Sequence, residues 1–354
     1  MSRSKITSAS IEDSTIAAAD IASGAVESAI ATPLSHRNLI INGAMQVAQR
    51  GTSVTGSTAN TYQTCDRWYH IASGATYNSS QESLTIGQTD IPRQFQYFLR
   101  FDETTGNNNS GIEQRVENIL SIAGETVTLS FYAKGTNPGG GSMQIEFDEY
   151  WDGSAQTQNT ESFTLTSSWQ RFTFTRTLTD PTGKTIGSNS FLGIKFRQPT
   201  VDTNTNAWTL DITGVQLEVG SVATPFEHRS YGEELARCQR YFYGINQYTN
   251  SRGGTGWAFI ATAVAYNTSH MTASLNLPVT LRTTPTISYS NLSGQFGFGR
   301  SGAVDYFDTL SGGNSDNNQN VNIYASNGLS HSIGDAGYFG IYFGGAYIHL
   351  DAEL

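Results

Sequence analysis

Apolar and polar residues alternate with a period of two through most of the chain. Phe95, Tyr97, Leu99 and Phe101 occupy every second position. So do Val127, Leu129, Phe131 and Ala133, then Met143, Ile145 and Phe147, then Phe172 and Phe174, then Leu192, Ile194 and Phe196. This period puts one side of each run against a core and predicts half-buried strands. Clusters of Gly, Asn and Asp separate the runs, at 105–111, 135–141, 180–190 and 203–206. The next run, Thr209 to Val219, starts with Leu210 and Ile212 on the apolar side. At Gly214 the phase slips by one residue, and Val215, Leu217 and Val219 carry the apolar side onward. A slip at a glycine predicts a β-bulge or a sharp twist. Gly220 and Pro225 stop the strand, and the polar stretch Tyr231 to Arg240 reads as a helix.

A second series follows that helix. Trp257 to Ile260 and Met271 to Leu277 are strand candidates, whereas Pro278 and Pro285 bracket a segment suited to a turn or a sheet edge. Gly297, Gly299, Gly302 and Ser311 to Asn314 read as loops. The last run is the clearest strand, with Ala346, Ile348, Leu350, Ala352 and Leu354 on one side and Tyr347, His349, Asp351 and Glu353 on the other. A chain that ends in such a strand is expected to be tied into a sheet or a subunit interface. No βαβ alternation is present. The fold class is therefore all-β: an antiparallel sandwich at 38–228, a helical linker at 229–243 and a smaller β domain at 244–354.

Residues 1–32 follow another rule. Ile6, Ile11, Ile16, Ile21 and Val26 recur at a spacing of five, among Ser, Thr, Ala, Asp and Gly. Five fits neither helix nor strand, and so few repeats bury no core alone. Three chains around a common axis would bury them, which predicts a docking or trimerisation stalk. The alternative is an unstructured Ala/Ser-rich tail.

Composition narrows the function classes. The 354 residues include only 14% charged residues, with 36 Gly, 17 Tyr, 18 Phe and 5 Trp, the profile of an ordered β protein rather than a disordered one. The net charge of -10, with no long cationic run, argues against nucleic acid as a partner. No apolar stretch approaches the roughly 18 residues of a membrane span, and the N-terminal residues lack a signal-peptide pattern. Cys65 and Cys238 are the only cysteines, expected as two free, buried thiols, with a bond between them as the alternative.

The candidate chemistry is sparse. No zinc pattern, phosphate loop, nucleophile elbow or dinucleotide fingerprint occurs. Glu146, Asp148 and Glu149 precede Tyr150 and Trp151; in a strand, Glu146 and Asp148 share a face about 6–7 Å apart, the order needed for glycoside hydrolysis. A solvated acidic strand face is far commoner than such an active site, so no enzyme is predicted. Asp305 and Asp308 are a weaker pair. Sugar binding asks for less: flat rings that stack on a pyranose, beside hydrogen-bonding side chains. Tyr150, Trp151 and Glu149 are the candidates in the large domain, and Phe296 and Tyr306 in the distal one. Asp66-Arg67 reads as a salt bridge pinned under the Trp68 indole. Tyr338 and Phe343, crowded among glycines, are read as subunit contacts together with the five-residue repeat.

The run GVQLEVGSVATPFEHRSYGEELARCQRYF, Gly214 to Phe242, resembles the segment that ends the jelly-roll-like domain of phage and prophage tail-fibre or virion structural proteins. Asn38 to Met45 (NLIINGAM), Arg50-Gly51 and Asp66-Arg67-Trp68 resemble its start. Phe131 to Lys134, with Trp169 and Phe172, resembles its middle, so the likeness spans roughly residues 38 to 243. Pro278 to Pro285 is similar to a phrase of the distal domains of tail-fibre proteins. The resemblance implies a jelly roll related to carbohydrate-binding modules and a virion location, as a tail or capsid appendage made in the host cytoplasm. It implies a homotrimer docked to other virion proteins and attached to host surface polysaccharide. A purely structural decoration protein and a glycan depolymerase are the alternatives. A structural calcium between first and last strands is also implied, with Asp211 and Glu218 as candidate ligands and Asp148 and Asp152 as a second acidic group; no other cofactor is expected.

Overall fold

The period-two runs form strands throughout a computed structural model that describes residues 36–85, 87–92, 94–105, 109–199, 207–246, 258–312, 318–325, 329–342 and 345–354. The five-residue repeat, Ile6 to Val26, lies outside the described residues. In chain order the large domain contains β1 (Ser53–Ser57), β2 (Thr61–Tyr62), β3 (Tyr69–Ile71), β4 (Thr76–Ser83), β5 (Tyr97–Thr105), β6 (Gly111–Glu117), β7 (Thr126–Thr136), β8 (Met143–Tyr150), β9 (Thr157–Phe163), β10 (Gln170–Thr177), β11 (Phe191–Arg197) and β12 (Trp208–Val219). They pair antiparallel into two six-stranded sheets, ordered β1-β4-β5-β12-β7-β10 and β2-β3-β6-β11-β8-β9. The alternating residues meet between them: Leu99, Phe101, Leu129, Phe131, Ile145, Phe147, Ile194 and Phe196 are all buried in one core. This is an antiparallel jelly-roll sandwich.

Strand β12 lies at the middle of the first sheet, and its register against β7 shifts between Thr213 and Gln216. Gly214 sits there at φ 61°, and a Cβ on it would collide with the Phe95 ring, so glycine is required both by conformation and by space. Val215 and Leu217 continue inward as expected, but Val219, the last residue of β12 and still paired with Val127, is 52% exposed beside the turn at Gly220. The other side of β12 is covered too. The amide of Leu39 donates to the carbonyl of Leu217 (2.8 Å) and that of Val215 to Gly43 (2.9 Å), which lays the segment after Asn38 along the slipped half of the strand.

The polar stretch forms helix α1 (Tyr231–Gln239), capped by Ser230, whose hydroxyl accepts from the Glu233 amide (3.3 Å). Glu234 accepts from the Asn42 amide at 2.5 Å, holding the helix against the first segment of the sandwich. Cys238 and Cys65 are both buried and unbonded. Next come β13 (Phe242–Asn246), β14 (Ala258–Asn267), β15 (His270–Asn276), β16 (Thr286–Tyr289), β17 (Phe296–Arg300), β18 (Ala303–Phe307), β19 (Ser311–Gly312), β20 (Asn320–Ala325), β21 (Ala336–Ile341) and β22 (Tyr347–Asp351). They build a three-stranded sheet, β13-β22-β16, and a seven-stranded one, β18-β17-β21-β14-β15-β20-β19, around a second core. The final strand is central in its sheet, with Ala346, Ile348, Leu350 and Ala352 buried.

Gly297 and Gly299, expected in loops, lie inside β17. In Phe-Gly-Phe-Gly the phenylalanines point into the core and the glycines outward, and the Tyr338 ring lies where a Cβ on Gly299 would be. Residues Asn38–Leu354 form one compact unit with these two cores.

Candidate functional site

The core-facing residues of the second sheet determine what its other face carries. With Ile112, Leu192, Ile194, Ile145 and Phe147 inward, Glu113 and Arg115 on β6, Phe191 and Lys195 on β11, and Glu146, Asp148 and Tyr150 on β8 must point outward. Register then sets the neighbours. Lys195 lies between Glu113 and Glu146, Gly193 between Arg115 and Asp148, and Phe191 beside Tyr150. A Cβ on Gly193 would crowd Glu113 Oε1 and Asp148, so this glycine leaves room for the two carboxylates to approach.

Lys195 Nζ donates to Glu146 Oε1 at 2.8 Å and to Asp148 Oδ2 at 2.5 Å, and Arg197 Nη2 holds the second Glu146 oxygen. Arg115 grips Glu113 Oε2 through Nε and Nη2, at 3.2 and 3.1 Å. Burial pushes the Glu113 carboxyl above its usual range, while the Arg115 guanidinium pulls the other way. Tyr150 stacks on Phe191 with ring centres 4.9 Å apart, and the Arg115 guanidinium lies 4.9 Å from Phe191 and 4.6 Å from Tyr69.

The opposite wall comes from the distal domain. Arg67, 1% exposed, pairs with Glu353, and Arg50 reaches Glu353 and Asp351 at 3.2 Å each. Arg115 Nη1 donates to the main-chain oxygen of Leu354. Arg282 holds the carbonyls of Ala352 (2.8 Å) and Glu353 (2.7 Å) and leans on Asn189 Oδ1 (3.4 Å). Between the walls is a cleft of about 550 Å³ lined by the Glu113, Arg115, Asp148, Tyr150, Gln156, Asn189, Phe191, Lys195, Arg282, Glu353 and Leu354 side chains. It offers an aromatic wall and a polar floor whose charges are already compensated.

Of the residues expected to bind sugar, Tyr150 lines this cleft. Trp151 does not: the strand ends at Tyr150, Asp152 turns at φ 57°, and the indole is fully buried with Lys184 Nζ 5.2 Å from its ring. Glu149 points inward on β8, where it accepts from Asn159 (3.3 Å) and the Thr179 amide (3.0 Å). Phe296 is fully buried among Tyr289, Phe307 and Phe339, so its ring is closed to a ligand. Tyr306 is 43% exposed on β18, against Tyr342, and Tyr338 is 36% exposed against Phe259; neither lines the cleft. Phe343 lies outside the described residues. Asp66 and Arg67 do not pair with each other: Asp66 accepts from Gln49 (2.9 and 2.5 Å) and Arg67 turns to Glu353, while Trp68 is core.

The calcium ligands implied by the resemblance do not converge. Asp211 is held by Arg100 through two bonds of 2.7 Å, and Glu218 by the amide (2.9 Å) and hydroxyl (2.6 Å) of Thr224. Asp148 is committed to Lys195 and Gln156, and Asp152 to the Asn189 amide (2.9 Å). Among the described residues no cluster of three or more His, Cys, Asp or Glu is placed to hold a metal ion. Sequence reasoning missed Glu113, Arg115, Asn189, Phe191, Lys195, Arg282 and Glu353. The only trace was local: in GIEQRVE and FLGIKFR, charged residues fall on the side of the strand away from the core.

Compared with known proteins, no family model and no curated protein matches this chain. Similar solved structures include one described as "CBM4 structure and function", 18% identical over 51% of this chain and 98% of that one, with a TM-score of 0.32. Another is the enzymatically active domain of tailspike protein 4 of bacteriophage CBA120, 9% identical over 52% of this chain and 22% of that one, with a TM-score of 0.33. A third is a cyclase from Fischerella sp. TAU, in complex with 4-(1H-indol-3-yl)butan-2-one, 14% identical over 54% of this chain and 98% of that one, with a TM-score of 0.34. Likenesses this distant say nothing of what the present chain binds.

Proposed function

We propose that this protein is a non-enzymatic fibre or appendage component of a phage virion, which attaches to host surface polysaccharide through the cleft between its sandwich and its distal domain. The observation that carries this reading is the cleft. It combines the Tyr150–Phe191 wall with side chains that keep hydrogen-bonding capacity: the Tyr150 hydroxyl, the Asn189 amide and the third N–H of Lys195. The virion assignment rests on the sequence resemblance over residues 38 to 243. Glu146 and Asp148 speak against a depolymerase, since one ammonium, Lys195, engages both. Attachment gains from repetition, because weak sites engaged together give avidity.

On an array of bacterial surface polysaccharides the full chain is expected to bind a restricted set. Tyr150→Ala, at a half-buried side chain outside the core, is expected to weaken that binding by roughly tenfold or more while leaving the melting temperature nearly unchanged. An array with no binding, or binding indifferent to Tyr150, would refute the cleft as the site. The full chain is also expected to be a trimer by light scattering, three times its 38.4 kDa, and to lose that mass when residues 1–32 are removed. A monomer would overturn the fibre arrangement.

A further inference from the structure

The charges lining the cleft do not balance in pairs. Each of its three side-chain carboxylates is paired with a cation: Glu113 with Arg115, Asp148 with the Lys195 that it shares with Glu146, and Glu353 with Arg67 and Arg50. Arg282 has no carboxylate among the described residues; its partners are two carbonyl oxygens and the amide oxygen of Asn189. Those bonds use three of the five N–H groups of a guanidinium, and the contact to Asn189, at 3.4 Å, is the longest of them. The carbonyls fix the plane of the group but neutralise none of its charge.

Its position gives that surplus a use. Asn189 stands two residues before Phe191, so Arg282 reaches the end of the cleft where the Tyr150–Phe191 wall begins. A guanidinium with spare N–H groups, held in place and lacking a counter-charge, favours a planar anion that takes two parallel bonds. We propose that the ligand is an acidic saccharide, and that Arg282 receives its carboxylate while the Tyr150–Phe191 wall takes a sugar ring. This rests on the reading of the cleft as a glycan site, and names the class of glycan.

The test is an array of matched pairs, each uronate-containing polysaccharide beside its carboxyl-reduced form, probed with the full chain. The acidic member of at least one pair is expected to bind roughly tenfold more tightly than its reduced partner, and the difference to shrink as sodium chloride is raised. Arg282→Gln is expected to abolish the difference while keeping whatever binding the reduced form shows. Arg282→Lys, which keeps the charge but not the fork, is expected to retain part of it. Because Arg282 also holds the Ala352 and Glu353 carbonyls, both variants are compared at matched thermal stability, and the lysine variant reports on charge if the glutamine variant is poorly folded. Equal binding of acidic and reduced forms would overturn the acidic ligand and leave a neutral-glycan site standing. No binding to any member would overturn both.

Discussion

Arg67→Ala is expected to destabilise the protein by roughly 3–5 kcal/mol, the cost of removing one partner from a buried ion pair. Arg67 is 1% exposed, and it does three things at once. It pairs with Glu353, donates to the Arg115 carbonyl at 2.6 Å, and lies 3.5 Å from the centre of the Tyr241 ring. Without it Glu353 stays buried with Arg50 alone, at 3.2 Å. The same pair holds the distal wall of the cleft against the sandwich, so the loss should also show as weaker glycan binding. Urea unfolding followed by tryptophan fluorescence measures the first effect. The double variant Arg67→Met, Glu353→Leu is expected to recover much of the stability, since it removes both charges rather than stranding one. A cost for Arg67→Ala below about 1 kcal/mol would mean that the pair does not hold the two parts together.

Mild acid is expected to weaken the fold. His70 is fully buried, stacked on Tyr77 with ring centres 5.3 Å apart, with Nε2 2.8 Å from the Ser79 hydroxyl. Burial lowers its pKa from 6.5 to about 3, with the backbone carbonyls of Trp68 and Thr61 acting weakly the other way. Between those two values the unfolded chain binds a proton that the folded chain refuses, so stability is complete above about pH 6.5 and falls as pH drops below it. The slope approaches about 1.4 kcal/mol per pH unit from this one group. His349, lowered to about 4 by burial and then by Arg50, adds a contribution of the same sign, reduced by its contact with solvent. Glu113 and Asp66 act oppositely, because burial raises both carboxyls, so protonating them favours the folded state. Urea midpoints between pH 7.5 and 5 should therefore decline. His70→Phe, which keeps an aromatic ring against Tyr77, should flatten that decline by up to the same slope; an unchanged decline would remove His70 as its cause.

The scaffold was legible in the sequence where one residue sees one environment. The alternating runs became strands because a sandwich core faces each strand on one side, and the slip at Gly214 became a bulge because the pattern recorded both halves of β12. The final strand was legible for the same reason. Val219 was misplaced because nothing local says that the core ends before the strand does. Gly297 and Gly299 were read as loop markers, although Phe296 and Phe298 alternate with them; what settles Gly299 is Tyr338, about forty residues away, whose ring needs the space.

The cleft was not legible, and the reason is topological. Its floor joins β6, β11 and β8, which are neighbours only through the sheet order, and its far wall comes from Arg282 and Glu353. Tyr150 could be picked out because an aromatic beside carboxylates is a local signal. Trp151 carried the same signal and is core, since the turn at Asp152 rather than residue type decides which way the indole goes. Arg282 carried no signal: an arginine after Leu281 reads as a surface charge until its carbonyl partners at Ala352 and Glu353 are known.

The most direct test is a crystal structure of the full chain with an oligosaccharide prepared from the polysaccharide that it binds best. The expected result is a sugar ring against Tyr150 and Phe191, with an acidic substituent at Arg282. Density for the sugar on the seven-stranded sheet around Tyr306 and Tyr338, with the cleft free of sugar, would contradict it.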